Sequence, residues 1–332
     1  MTLLALDAEP VPVTVLTGFL GSGKTTLLAR LLRHPAMAET AVIVNELGEV
    51  GLDHHLLESS DEDTLLLGNG CLCCGLRGDL VATLQSLLDR RERGEAPAFR
   101  RVAIETTGLA DPVPILQSFR SDPLRLSLYK LESLVACVDA VSGAATLARH
   151  AEAQRQAALA DTIILTKNDL ADGAPCREAI RRLNPRARLI EATHGDADPD
   201  DVLGSRAAMD AVSLGDNGDH SHGHGRIVSV TMRGGPTLAW DHVRQAVAAL
   251  VERHGDSLLR VKGLLAVEGM EGPVLVDGVQ HLFHRPRPLE AWPRGVAAPF
   301  LVGIAEDVEP EDLRAWLAAV LAPGKADGKT AA

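Results

Sequence analysis

Gly18-Phe19-Leu20-Gly21-Ser22-Gly23-Lys24-Thr25 decides the fold of this chain. The run satisfies G-x-x-x-x-G-K-[ST] in full, and its surroundings fit. Residues 11–17 before it, Val-Pro-Val-Thr-Val-Leu-Thr, read as a buried strand, and residues 24–33 after it read as a helix. In that context glycines let backbone N–H groups turn inward around phosphate oxygens, and the helix N-terminus adds positive potential. Gly18, Gly21, Ser22, Gly23 and Thr26 are expected to line this cradle. Lys24 is expected to reach the β- and γ-phosphates, and Thr25 to ligate Mg²⁺.

Further short apolar runs rich in β-branched residues occur at 41–45, 101–105, 134–138 and 162–165, separated by helical stretches. Continuous rather than alternating apolar strands belong to a parallel sheet covered on both faces. The expected fold is therefore α/β, a doubly wound, mostly parallel P-loop sheet over residues 10–205. Residues 195–225 are rich in Asp, Gly and Ser and end in His220-Ser221-His222-Gly223-His224, so 206–225 reads as a His-containing linker. A smaller C-terminal α+β domain is expected over 226–323. It has strands near 226–232, 259–267, 274–283 and 300–304, and helices near 238–253 and 310–321. Residues 324–332 read as a disordered tail.

The chain has 332 residues, 46% of them apolar and 23% charged, with a net charge of −12. That acidic balance argues against nucleic acid or an anionic membrane surface as a partner. No stretch approaches the roughly 20 apolar residues of a transmembrane helix. The first residues lack the charged start of a secretory signal, so a cytoplasmic protein is expected. Three of the five cysteines crowd into Cys71-Leu72-Cys73-Cys74, which in a reducing compartment points to metal or redox chemistry rather than disulfides.

Glu105-Thr106-Thr107-Gly108 directly follows a strand. An acidic side chain there can hold the Mg²⁺ shell, and the Gly108 N–H can approach a γ-phosphate, a contact made only in the triphosphate state. Thr166-Lys167-Asn168-Asp169 follows another strand. The Asp169 carboxylate can accept from both N1–H and the 2-amino group of guanine, whereas adenine would leave it unpaired. Lys167 would lay its stem along the base. Thr166 stands where the common guanine motif has Asn, and Asp169 as a plain cap of the next helix is the bland alternative. GTP and GDP with Mg²⁺ are the expected ligands.

Three thiolates within four residues, flanked by glycines, favour Zn²⁺ or Cu(I) and leave a fourth ligand to come from elsewhere. A redox pair, Cys71 with Cys74, is the alternative. Residues 45–55 lie where a first switch would fall, and Glu46, Glu49 and Asp53 are candidates for Mg²⁺, water positioning or that fourth ligand. His220, His222 and His224 form a secondary metal candidate or simply part of a polar linker. Cys137 and Cys176 read as structural.

Together these parts resemble the CobW-like family of metal-handling GTPases, P-loop GTPases of the SIMIBI class related to the nickel-insertion GTPases of urease and hydrogenase. The resemblance rests on residues 18–26, 45–53, 69–74, 105–108 and 166–169. It extends to Arg260-Val261-Lys262-Gly263 and Val279-Gln280-His281. It implies a GTPase with Lys24, Glu46 and Glu105 in hydrolysis. Its Cys71, Cys73 and Cys74, with Glu46, would carry zinc, or cobalt or another transition metal, to a client apo-metalloprotein. A monomer or homodimer is expected. Rival readings are a nucleotide-controlled zinc buffer or sensor, a cobalt or iron insertion factor, and a small-molecule P-loop kinase.

Overall fold

A computed structural model describes residues 9–44, 65–68, 77–96, 98–121, 128–203, 220–224, 226–283, 286–293, 296 and 298–322. The chain divides into two compact units, Met1–Ala211 and Val212–Ala332.

In the first unit the elements run β1 (Val11–Gly18), α1 (Lys24–Leu31), β2 (Thr40–Val44), β3 (Leu65–Gly68), α2 (Arg77–Glu92), β4 (Arg101–Glu105) and α3 (Val113–Ser121). There follow β5 (Tyr129–Asp139), α4 (Gly143–Arg149), α5 (Ala151–Leu159), β6 (Thr162–Thr166), α6 (Ala174–Leu183), β7 (Arg188–Ala192) and α7 (Pro199–Leu203). The seven strands form one sheet in the order β3-β2-β4-β1-β5-β6-β7. Every pairing is parallel, for example Val15 with Ile104 on one side and with Leu134 on the other. Doubly wound α/β architecture follows because strands apolar on both faces must be covered twice. Leu27, Leu28 and Leu31 of α1 pack on Leu16, Val42, Ala103 and Val135, which seats the first helix on the middle of the sheet. Since β1 and β4 are neighbours, the loops after them open side by side at the carboxyl edge, where open α/β sheets bind ligands.

The second unit begins with β8 (His220–His224) and β9 (Ile227–Arg233). It continues through α8 (Trp240–His254), β10 (Leu258–Leu265), β11 (Val274–Val279), β12 (Leu282–Phe283), β13 (Arg287–Pro288), β14 (Phe300–Glu306) and α9 (Pro310–Leu321). Its sheet is antiparallel, in the order β12-β11-β10-β14-β9-β8, with β13 beside β11. Val228, Val230, Val261 and Leu301 meet Val243, Val247, Leu313 and Leu317 of the two helices in one core. The β10 residues Arg260 and Lys262 are buried and share one carboxylate, Asp277 of β11, at 3.3 and 3.9 Å.

Two expectations change here. The polar stretch ending at residue 225 is not linker to its end. His220–His224 is an edge strand, in antiparallel register with Thr231, Ser229 and Ile227 opposite its three histidines. A His/Ser/Gly sequence carries no apolar alternation, so only pairing with β9 makes it a strand. The expected strand 274–283 folds back on itself, Val279 pairing Leu282 across Gln280 and His281, with Gln280 at a φ of 50°. A two-residue hairpin needs such a positive φ, and here Gln adopts it without the usual Gly or Asn signal. The edge strands β3 and β7 have no counterpart among the sequence expectations. The tail 324–332 lies outside the described residues.

All three tryptophans, Trp240, Trp292 and Trp316, fall in the second unit, so their fluorescence reports its unfolding alone. Leu313 is fully buried in that core. Leu313→Ala is expected to cost about 2–5 kcal/mol, read as a lowered urea midpoint of the tryptophan signal.

Candidate nucleotide site

The phosphate loop turns directly out of β1 and into α1. Gly18 has a φ of 140°, and a Cβ there would lie 2.5 Å from the Cys137 carbonyl oxygen of β5, so only glycine fits. Lys24 folds back across the loop, its Nζ donating to the carbonyls of Gly18 at 2.8 Å and Phe19 at 3.2 Å. Fully extended backbone could not offer this cluster of turned amides; the glycine conformations at 18, 21 and 23, all with positive φ, produce it.

From the next strand, β4, Glu105 ends the apolar run, and its Oε1 accepts from Thr25 Oγ1 at 2.6 Å. The carboxylate is 3% exposed and joins the first turn of α1 to the loop after β4. A hydroxyl and a carboxylate held together are hard oxygen donors of the kind Mg²⁺ takes. Thr106 Oγ1 donates to Thr17 Oγ1 at 3.0 Å, a second bond between the ends of β1 and β4. Gly108 then approaches the phosphate loop so closely that a Cβ would lie 2.7 Å from Leu20 N.

The loop after β6 reaches the same loop from the other side. Thr166 Oγ1 donates to Ser22 O at 2.7 Å, and Lys167 Nζ donates to Gly21 O at 2.7 Å. Thr166, which replaces the usual Asn, therefore ties the base loop to the phosphate loop with a hydroxyl. Asn168 bonds back to Leu165 O at 2.6 Å. Asp169 Oδ2 stands 3.6 Å from Nδ1 of His194, a residue held at a φ of 53° in the turn after β7. The sequence offered no reason to place His194 beside Asp169, because their proximity depends on β6 and β7 being neighbours.

Gly18, Gly21, Ser22, Gly23, Lys24, Thr25 and Thr26 thus share one edge of the sheet with Glu105, Gly108, Thr166, Lys167 and Asp169. Glu46, Glu49 and Asp53, and all of Cys71, Cys73 and Cys74, lie outside the described residues. Among the described residues no group of three or more His, Cys, Asp or Glu is arranged to hold a metal ion. Cys137 and Cys176 are free thiols and buried; burial pushes the Cys137 thiol up to about 12, with Lys24 opposing. No helix among the described residues is long and apolar enough to cross a membrane.

Residues 12–191 match the CobW/HypB/UreG nucleotide-binding domain, and residues 227–321 match the cobalamin synthesis protein cobW C-terminal domain. The chain is 36% identical over 280 residues to the zinc chaperone YjiA of Escherichia coli, covering 83% of this chain and 88% of that protein. It is 32% identical over 315 residues to the zinc chaperone CobW of Pseudomonas aeruginosa, covering 83% and 82% of the two. The crystal structure of Zn(II)-bound YjiA GTPase from E. coli superposes with a TM-score of 0.71 at 30% identity, over 94% of this chain and 99% of that one.

Thr166→Val keeps the side-chain shape and removes the bond to Ser22 O. One buried hydrogen bond contributes about 0.5–1.5 kcal/mol, so GDP affinity is expected to fall about two- to tenfold in displacement of a fluorescent GDP analogue.

Proposed function

Because the chain belongs to the CobW/HypB/UreG family and carries the CobW C-terminal domain, we propose that it is a GTP-hydrolysing zinc metallochaperone. It converts GTP and water to GDP and phosphate and delivers zinc to a client apo-metalloprotein. The cycle runs in the cytoplasm, where thiolates stay reduced.

The observation that carries the coupling is a register. β2 and β3 are parallel neighbours, and Val44 pairs Gly68 at their carboxyl ends. The chain therefore enters the segment holding Glu46 and the segment holding Cys71, Cys73 and Cys74 from adjacent points. Both points lie at the edge that also bears Lys24 and Glu105. Thiolates suit zinc, and a Glu46 carboxylate could complete the set. His220, His222 and His224 form at most a weaker, additional site.

In hydrolysis Lys24 leaves its loop carbonyls for the β- and γ-phosphate oxygens and opposes the charge that develops there. The Gly108 N–H bonds the γ-phosphate, and Glu46 orients the attacking water. Thr25 and Glu105 would hold Mg²⁺, which when bound neutralises phosphate charge. Asp169 selects guanine by accepting from its two donors, with Lys167 along the base. Loss of the γ-phosphate releases the Gly108 contact, so the nucleotide state and the metal-bearing segments respond to the same edge of the sheet. Coupling of this kind is reciprocal.

Lys24→Ala is expected to abolish GTP hydrolysis measured by phosphate release. Asp169→Asn is expected to relax the preference for GTP over ATP, because an amide cannot accept from both base donors. Equal affinity of the unaltered protein for ATP and GTP would refute the assignment of the base site.

Zinc affinity is expected to be tighter with a non-hydrolysable GTP analogue than with GDP, by a coupling of about 1–3 kcal/mol. Competition against a chromogenic chelator in the two nucleotide states measures it. Changing any one of Cys71, Cys73 or Cys74 to Ser should weaken binding strongly, whereas replacing His220, His222 and His224 together should leave the tight site intact. Identical zinc affinity in both nucleotide states would separate the GTPase from metal handling. Zinc transfer to a client apoprotein, followed by the client's own activity, distinguishes a chaperone from a buffer.

A further inference from the structure

Gln156 of α5 is 1% exposed, yet nothing in the phosphate or base motifs includes it. Its Nε2 donates to Gly108 O at 3.2 Å and to Ala110 O at 3.0 Å. The residue before it, Arg155, pairs Asp111 at 2.9 Å. α5 thus grips the loop after β4 at positions 108, 110 and 111. The other atom of the amide, Oε1, has no hydrogen-bond partner among the described residues. Gln156 lines a narrow cavity together with Phe19 and Ser22 of the phosphate loop, and Ser22 Oγ also has no partner among the described residues.

An apolar side chain such as methionine would fill this space without an unsatisfied Oε1, but it would take the donor away from the Gly108 and Ala110 carbonyls. What the amide alone supplies is a pair of donors aimed at two loop carbonyls. We propose that Gln156 is a positioning residue for GTP hydrolysis, holding the backbone at 108–110 so that the Gly108 N–H stands in place for the γ-phosphate before nucleotide binds. The inference rests on the reading of Gly108 given above. Donors fixed in advance need no reorganisation during reaction, and a misplacement of about 1 Å can cost roughly 10²-fold in rate. GDP has no γ-phosphate, so its binding does not draw on this arrangement.

The test uses the full-length protein with Mg²⁺. Gln156→Met keeps the volume and removes both donors. Its kcat for GTP is expected to fall at least about tenfold, with affinity for a GTP analogue weakened and affinity for GDP within about twofold of the unaltered protein. Unchanged kcat, or equal weakening of GDP and GTP analogue, overturns the proposal. Gln156→Glu supplies a second readout. Burial and two facing carbonyl oxygens raise its carboxyl pKa, and the protonated acid regains one donor. Its kcat relative to the unaltered protein should therefore rise as pH falls from about 8 to about 6, while the same ratio for the Met variant stays flat. A flat ratio for the Glu variant overturns the proposal even if the Met variant does not fold. Lys24→Ala, run alongside, separates the two levels. Retained hydrolysis in Lys24→Ala refutes the phosphate-site reading itself. Its loss there, with full activity in Gln156→Met, refutes only the role of Gln156.

Discussion

The bond from Thr25 to Glu105 is the constraint on which the first unit's chemistry depends. It joins the first turn of α1 to the end of β4 across 80 residues of sequence, at 2.6 Å. A carboxylate that is 3% exposed would be costly without partners. The fold meets that cost by setting β4 directly beside β1, so that the hydroxyl of the phosphate loop and the acid of the neighbouring strand share one edge. Thr106 and Thr17 add a second bond to the connection between the ends of β4 and β1. Thr166 and Lys167 complete it from β6, so the phosphate loop is held from both sides by strands that are far away in sequence.

This arrangement gives the loop after β4 two masters. Gly108 lies against Leu20 of the phosphate loop, where a side chain would collide, and its carbonyl is held by Gln156 from the helix behind. The Gly108 and Ala110 carbonyls are thus fixed from behind, on the side away from Leu20 of the phosphate loop. The sheet order carries the effect outward. β4 pairs β2, and β2 pairs β3, so the segments that follow β2 and β3 begin two strands or fewer from Glu105.

The second unit is built on different physics. Its sheet is antiparallel, and α8 and α9 pack on it through an aliphatic core. The buried Arg260 and Lys262 share the partly buried Asp277 of the adjacent strand, an arrangement that gives little net stability but disfavours a change of register. In the sequence Arg260 and Lys262 appear only as part of a signature that does not include Asp277; their pairing with it depends on β10 and β11 being aligned in one register.

The sequence by itself determined the chemistry that depends on neighbours in the chain. The phosphate loop, the acid that ends β4 and the glycine after it, the Thr166–Asp169 motif, the α/β order and the trio of thiols are all local patterns of turn residues, donors and apolar runs. Tertiary structure alone decided what depends on strand pairing. It set β4 next to β1, made a strand of the polar His220–His224 and turned the chain at Gln280. It also brought His194 to Asp169 and turned Gln156 from one polar residue in the run Gln154-Arg155-Gln156 into a buried clasp on Gly108. Periodicity and turn propensity are short-range properties and can be read in a window of a few residues. The partner of an edge strand or of a buried amide is set by which distant backbone lies alongside it, and no local pattern encodes that.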